Sequence, residues 1–218
     1  MSHVPAARLK VAFPQWSIHR VPPSTGTGFT ACRGLPGGGS QSLHPPTLAE
    51  LTRATAELGP VDVLVNNAGF GLWKPLEETS IAEWDHTFAV NVRAAACLCT
   101  AVLPGMQARR FGRVINIGSE AGVAIVPGLA AYCISKHSLR ALTEVIQDAN
   151  HDNGIKAWII CPGFVDTDMG EVVPGTNPLN FLRVGEVVDM ARYLIRLDYN
   201  VKLGPEILIR TMRNPMTT

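Results

Sequence analysis

Tyr132 and Lys136, in the run Ala131-Tyr132-Cys133-Ile134-Ser135-Lys136, are the pair in this 218-residue sequence best suited to move a proton. Apolar Leu139, Leu142, Val145, Ile146 and Ala149 follow at three- and four-residue steps, which predicts a helix to Asn150. Side chains four apart on a helix share a face, so the phenol and the ammonium project together. A phenol with an unperturbed pKa of about 10 is a poor acid or base at neutral pH, and moving it toward 7 takes roughly 4 kcal/mol. One ammonium about 4 Å away supplies on the order of 4 kcal/mol at an effective dielectric near 20. Lys136 is therefore expected to activate Tyr132. Taken alone, the pair also reads as an exposed Lys beside a half-buried Tyr. Ser119 lies thirteen positions before Tyr132, just after the apolar run Arg113 to Ile117, and is a candidate donor to a substrate oxygen.

The elements that must position these groups read as alternating helix and strand. Thr47-x-x-Glu50 is a capping box opening a helix with Leu48, Leu51, Ala54 and Leu58 inward, closed by Gly59-Pro60. Val61 to Val65 is Val-rich, as in a strand buried on both faces of a parallel sheet. Asn66-Asn67-Ala68-Gly69 sits at its carboxyl end, where doubly wound folds bind ligands. The Asn side chains can tie strands together, and Ala68 and Gly69 let a ring approach the backbone. Ser80 to Glu83 is a second capping box, starting a helix through Trp84 and Phe88 to about Leu103. Asn91 interrupts that helix, where a local break can free a carbonyl for water. Ala94 to Leu98 is apolar on every side, as in a helix buried on two faces. Asn153-Gly154 ends the Tyr132 helix, Ile155 to Cys161 is a further buried strand, and Pro162-Gly163 stops it. Met169 to Phe181, with two Gly and two Pro, reads as a substrate lid. Phe70, Trp73, Phe164 and Phe181 are candidates to line an apolar pocket. Val187 to Ile195 marks a last helix and Glu206 to Ile209 a last strand.

Asn66 to Gly69, Asn91, Ser119, Tyr132 to Lys136 and Pro162-Gly163-Phe164-Val165-Asp166-Thr167 stand in the order and spacing of one family. From about Thr47 to about Met212 the sequence resembles the short-chain dehydrogenase/reductases. The resemblance implies an α/β Rossmann-type doubly wound parallel sheet with an atypical or incomplete N-terminal part. It implies hydride transfer between NAD or NADP and a carbonyl or secondary alcohol, with Asn91, Ser119, Tyr132 and Lys136 catalytic. Asn91 would anchor a proton-relay water, and Lys136 would hold ribose hydroxyls. Cofactor contacts would come from Asn67, Ala68, Gly69, Tyr132, Lys136, Pro162, Gly163, Val165 and Thr167, with Thr167 on the carboxamide. Homodimers or homotetramers are implied as well.

Residues 1–46 form a separate Pro/Gly-rich segment ahead of the 47–218 core. The family's Thr-Gly-x-x-x-Gly-x-Gly turn, whose backbone N–H groups would hold the pyrophosphate, does not occur here. Ser24-Thr25-Gly26-Thr27-Gly28 is nearest and reads as loop. The segment is expected to be an altered, spliced or out-of-frame start. A non-catalytic remnant or dimer partner unable to bind cofactor is the alternative reading. A sugar-nucleotide epimerase also uses Tyr-x-x-x-Lys, but 218 residues leave little room for its substrate domain.

Composition bounds the partners. Lys+Arg and Asp+Glu total 19 and 18, so no basic stripe suggests nucleic acid. No uninterrupted run of about 18 apolar residues suggests a membrane span. No secretory leader is expected, and the default location is the cytoplasm. Cys32, Cys97, Cys99, Cys133 and Cys161 show no metal spacing and read as reduced, mostly buried thiols. Cys133 is expected to pack its helix, not to act as a nucleophile.

Overall fold

The computed structural model describes residues 60–167, 169, 175–198, 201 and 203–216. Segment 1–46, the Thr47 helix and residues 170–174 of the expected Met169 to Phe181 lid lie outside the described residues.

Among the described residues, four parallel strands form one sheet in the order β1 (Val63–Asn66), β2 (Gly112–Ile117), β3 (Ile155–Pro162) and β4 (Glu206–Ile209). Their register pairs Asn66 with Asn116, Ile117 with Ile160, and Pro162 with Ile209. All four carboxyl ends therefore finish along one edge. β1 begins two residues later than the sequence suggests. The Val61 carbonyl is taken by the Arg109 guanidinium at 2.7 Å, and ladder pairing starts at Val63 opposite Arg113.

The helices cover both faces, as parallel strands buried on each side require. α1 (Ile81–Phe88) opens with the expected box: Ser80 Oγ accepts from the Glu83 N–H, and the Glu83 carboxylate accepts from the Ser80 N–H. It runs through a π-helical turn, Ala89–Arg93, into α2 (Ala94–Arg109). α3 (Ala130–Asn150) carries Tyr132 and Lys136, and Gly154, at φ 72°, turns the chain into β3. A Cβ there would meet the Arg110 carbonyl at 2.1 Å, so only glycine fits. α4 (Val184–Arg196) leads to β4.

Alternation along the strands splits the core in two. Leu64, Val114, Ile155 and Ala157 meet Cys99, Val102 and Met106 of α2 and Ile146 of α3. Ile115, Trp158 and Ile160 meet Ala191 and Leu194 of α4 on the other face. By length and composition, the continuous helix Ile81–Arg109 is apolar enough to cross a membrane. Here Cys99, Val102 and Met106 face the sheet, which makes it a core helix of the α/β layer. Its first half carries Glu83, Asp85, His86 and Arg93, so the sequence shows no run of about 18 apolar residues there.

Candidate active site

The carboxyl edge of the sheet is tied by a directional chain of side chains. Thr143 on α3 donates its hydroxyl to the Leu139 carbonyl, so its oxygen accepts from Asn116 Nδ2 at 2.8 Å. Asn116 Oδ1 must then accept, and Asn66 Nδ2 donates to it at 2.7 Å. Each amide is thereby fixed in one orientation. The Asn residues at the ends of β1 and β2 lock these strands to the helix bearing Tyr132. Asn66 was legible in the sequence as a tie; Asn116 and Thr143 were not. Their signal was an Asn inside the apolar run Val114-Ile115-Asn116-Ile117.

Asn91 sits at the π-helical turn and is almost wholly buried. Its Nδ2 donates to the Phe70 carbonyl and to Ser135 Oγ, both at 2.8 Å, and its Oδ1 accepts from the Phe70 N–H at 2.7 Å. Ser135 Oγ in turn donates to the Tyr132 carbonyl at 2.7 Å. The break expected at Asn91 is present, and its side chain clamps the segment after β1 to the Tyr132 turn. A π turn inserts one residue into the ladder and often marks such a site.

Ser119, Tyr132 and Lys136 converge. Ser119 is near enough to Tyr132 for its hydroxyl to lower the phenol's pKa, and its Oγ accepts from the Ala121 N–H at 3.1 Å. Lys136 Nζ lies 5.5 Å from the Tyr132 ring centroid and donates to the Ile117 carbonyl at 2.9 Å. A Cβ on Gly69 would sit 3.4 Å from that ammonium, and a Cβ on Gly71 would fall 2.8 Å from Tyr132 Cδ2. Gly71 thus lies against the ring, a contact the sequence did not reveal.

One electrostatic expectation is overturned. Burial pushes the Tyr132 pKa above its ordinary value of 10, opposed by the nearby Ser119 hydroxyl and reinforced by the Cys133 and Cys161 thiols. Lys136 does not pull it toward 7. Burial lowers Lys136 itself from 10.5 to about 8, and its ammonium is turned to the Ile117 carbonyl. Desolvation of both groups outweighs their mutual attraction. Cys133 also departs from a nucleophile's profile. Burial raises its pKa, and its sulfur exchanges 3.4 Å contacts with the Val126 N–H and carbonyl.

The remaining residues lie along the same edge. Asn67 is exposed, and Ala68 and Gly69 are half-buried after β1. Pro162 ends β3, and the Gly163 N–H donates to the Ile209 carbonyl at 2.9 Å. Val165 bridges Leu182, and exposed Thr167 donates its hydroxyl to the Val165 carbonyl at 3.3 Å. Missed from sequence were Glu120 and Arg210, ion-paired at 2.6 Å beside Gly163.

A Rossmann-type α/β domain with Ser, Tyr and Lys gathered at the carboxyl edge of a parallel sheet defines a class of dinucleotide-dependent fold. A family model described as short chain dehydrogenase matches residues 47–177. The chain belongs to the short-chain dehydrogenase family. It is 38% identical over 130 residues to the inactive 2-(S)-hydroxypropyl-CoM dehydrogenase 2 of Xanthobacter autotrophicus, covering 59% of this chain and 56% of that protein. It is 35% identical over 152 residues to 2-(S)-hydroxypropyl-CoM dehydrogenase 3 of the same organism, covering 69% and 59%. The chain thus spans a little over half the length of these relatives. Among solved structures, an alcohol dehydrogenase from the archaeon Thermococcus sibiricus complexed with 5-hydroxy-NADP superposes with a TM-score of 0.67. The two are 28% identical, over 77% of this chain and 71% of that one.

Proposed function

We propose that the chain is an oxidoreductase for carbonyl and secondary alcohol substrates, using NAD or NADP, with Tyr132 as its acid/base. The observation that carries the reading is the half-buried Tyr132 ring with Lys136 Nζ 5.5 Å from its centroid and the Ser119 hydroxyl near its phenol. The nicotinamide half of a dinucleotide fits the residues present. Gly69 brings backbone close to the Lys136 ammonium without a side chain. That ammonium has three donors, and its bond to Ile117 uses one. Lys136 and Tyr132 would hold ribose hydroxyls. Asn67, Ala68, Gly69, Pro162, Gly163, Val165 and Thr167 would line the cofactor, with Thr167 on its carboxamide. The family's pyrophosphate turn would belong to segment 1–46, where the sequence does not carry it and which lies outside the described residues. The Thermococcus relative's ligand supports the choice of cofactor class.

The bound cofactor would supply or accept the hydride. Negative charge then grows on the substrate oxygen, and Ser119 and Tyr132 donate to it. The Tyr132 phenol, its pKa raised by burial, would donate its proton in reduction and take one back in oxidation. Lys136 Nζ, 5.5 Å from the Tyr132 ring centroid, would lie beside the phenolate left behind. Asn91 holds the Tyr132 turn and is the candidate anchor for the water returning the proton. The catalytic unit on this reading runs from Thr47 onward, in the cytoplasm. Half-buried Ala96, Cys97 and Leu98 on α2 suit a homodimer or homotetramer contact.

A second reading, a cofactor-free remnant or dimer partner, is favoured by two observations: the glycine turn is not found in 1–46, and one relative is named inactive. Titrating NADH and NADPH against the full chain separates them. Saturable enhancement of nicotinamide fluorescence supports the dehydrogenase; no change with either supports the remnant.

A further inference from the structure

Four aromatic side chains stand near the catalytic edge, and three are committed to packing. Phe70 meets His86 edge-on at 4.6 Å while Asn91 clamps its backbone. Phe164 and Phe181 stack on each other at 5.3 Å. Trp73 alone of the four is exposed, at 45%. An indole left in water costs free energy that a ligand can recover.

Trp73 is nonetheless held. A Cβ on Gly128 would lie 3.0 to 3.1 Å from three indole atoms, so the ring rests on Gly128 in space that a side chain would occupy. One residue further, Lys74 bridges Leu129, and the Ala130 N–H donates to the Lys74 carbonyl at 3.2 Å. The same two segments make the reverse contact, with Gly71 against the Tyr132 ring. Each segment thus offers a glycine to the other's aromatic. The interlock fixes the indole relative to the phenol that receives the substrate oxygen. Lys74, next to the indole, is paired with Glu83 at 2.7 Å, which offsets its charge on this wall.

Building on the Tyr132 reading, we propose that Trp73 is a specificity-determining wall of the substrate cleft. It selects carbonyl or alcohol substrates that carry a flat apolar group, aryl or cyclic, on the reacting carbon. The oxygen goes to Ser119 and Tyr132, and the apolar group lies on the indole.

The test reads binding apart from turnover. The full chain is labelled with fluorotryptophan, and Trp73→Phe identifies one of the four tryptophan signals. Acetophenone, acetone and toluene are titrated without nicotinamide. Acetophenone should shift the Trp73 signal saturably, at concentrations several-fold below toluene, and acetone should not. A signal that acetophenone leaves unmoved, or that toluene moves equally well, overturns the proposal. With nicotinamide, Trp73→Ala should lower kcat/KM for acetophenone about tenfold or more relative to acetone, the scale of apolar pocket discrimination, and Trp73→Phe should retain most of it. Equal losses for both ketones overturn it. The binding pattern in a chain that reduces no ketone supports the wall and counts against hydride transfer alone.

Discussion

Desolvation dominates the titrations of half-buried Tyr132 and buried Lys136, and each side chain carries its own prediction. Tyr132→Phe keeps the ring and removes the proton. Turnover should fall about 10²-fold or more, with the melting temperature little changed, as ketone kinetics and thermal unfolding would record. Lys136 links pH to stability. Its folded pKa of about 8 lies below the ordinary 10.5, so between these values the unfolded chain holds more protons and stability rises with pH. The rise amounts to about 3 kcal/mol. Cys161, raised by burial to about 11, acts oppositely above pH 9, so the comparison must be with a variant. Urea unfolding at pH 7.5 and 10.5 should show wild type gaining about 3 kcal/mol relative to Lys136→Met. The four-residue spacing made this pair legible in the sequence. Its electrostatics were not, because a spacing gives proximity and says nothing of how much water remains around either group.

At the scale of elements, side-chain ties set where α3 lies. Asn66, Asn116 and Thr143 join β1, β2 and α3. Asn116→Leu leaves Asn66 Nδ2 and Thr143 Oγ1 facing an apolar group in the interior, at a cost of about 2–3 kcal/mol in chemical unfolding. A second change, Asn66→Leu, should cost less in that background than alone, because both partners are then gone. Gly71→Ala drives a methyl to 2.8 Å from the Tyr132 ring. Overpacking of that kind destabilises by about 1–3 kcal/mol and moves the phenol from Ser119. kcat should fall at least tenfold, more than KM rises, in the same ketone assay. The Ser80 capping box, the Val-rich strand β1 and the Tyr132 helix were readable because each is a local pattern. The Ser80 box, α3 ending at Asn150 and the strand Glu206–Ile209 appear as expected. The Gly71–Tyr132 and Trp73–Gly128 contacts were not readable, since they join positions some 55 to 61 residues apart and depend on backbone approach.

The whole molecule places every described catalytic candidate along one sheet edge, because four parallel strands end together and α3 crosses behind them. The Rossmann-type architecture was legible from strands alternating with helices, and family membership from motifs spread between Asn66 and Thr167. A pyrophosphate grip was not legible, since 1–46 carries none of the glycine spacing that would mark one. The central claim is that Tyr132 delivers a proton during hydride transfer. The most direct measurement follows consumption of reduced nicotinamide by the full chain, wild type against Tyr132→Phe, with saturating cofactor and a ketone series. The account predicts ketone-dependent oxidation of NADH or NADPH that falls about 10²-fold or more in the variant. Equal rates in the two proteins, or cofactor binding with no ketone-dependent oxidation in wild type, would contradict it.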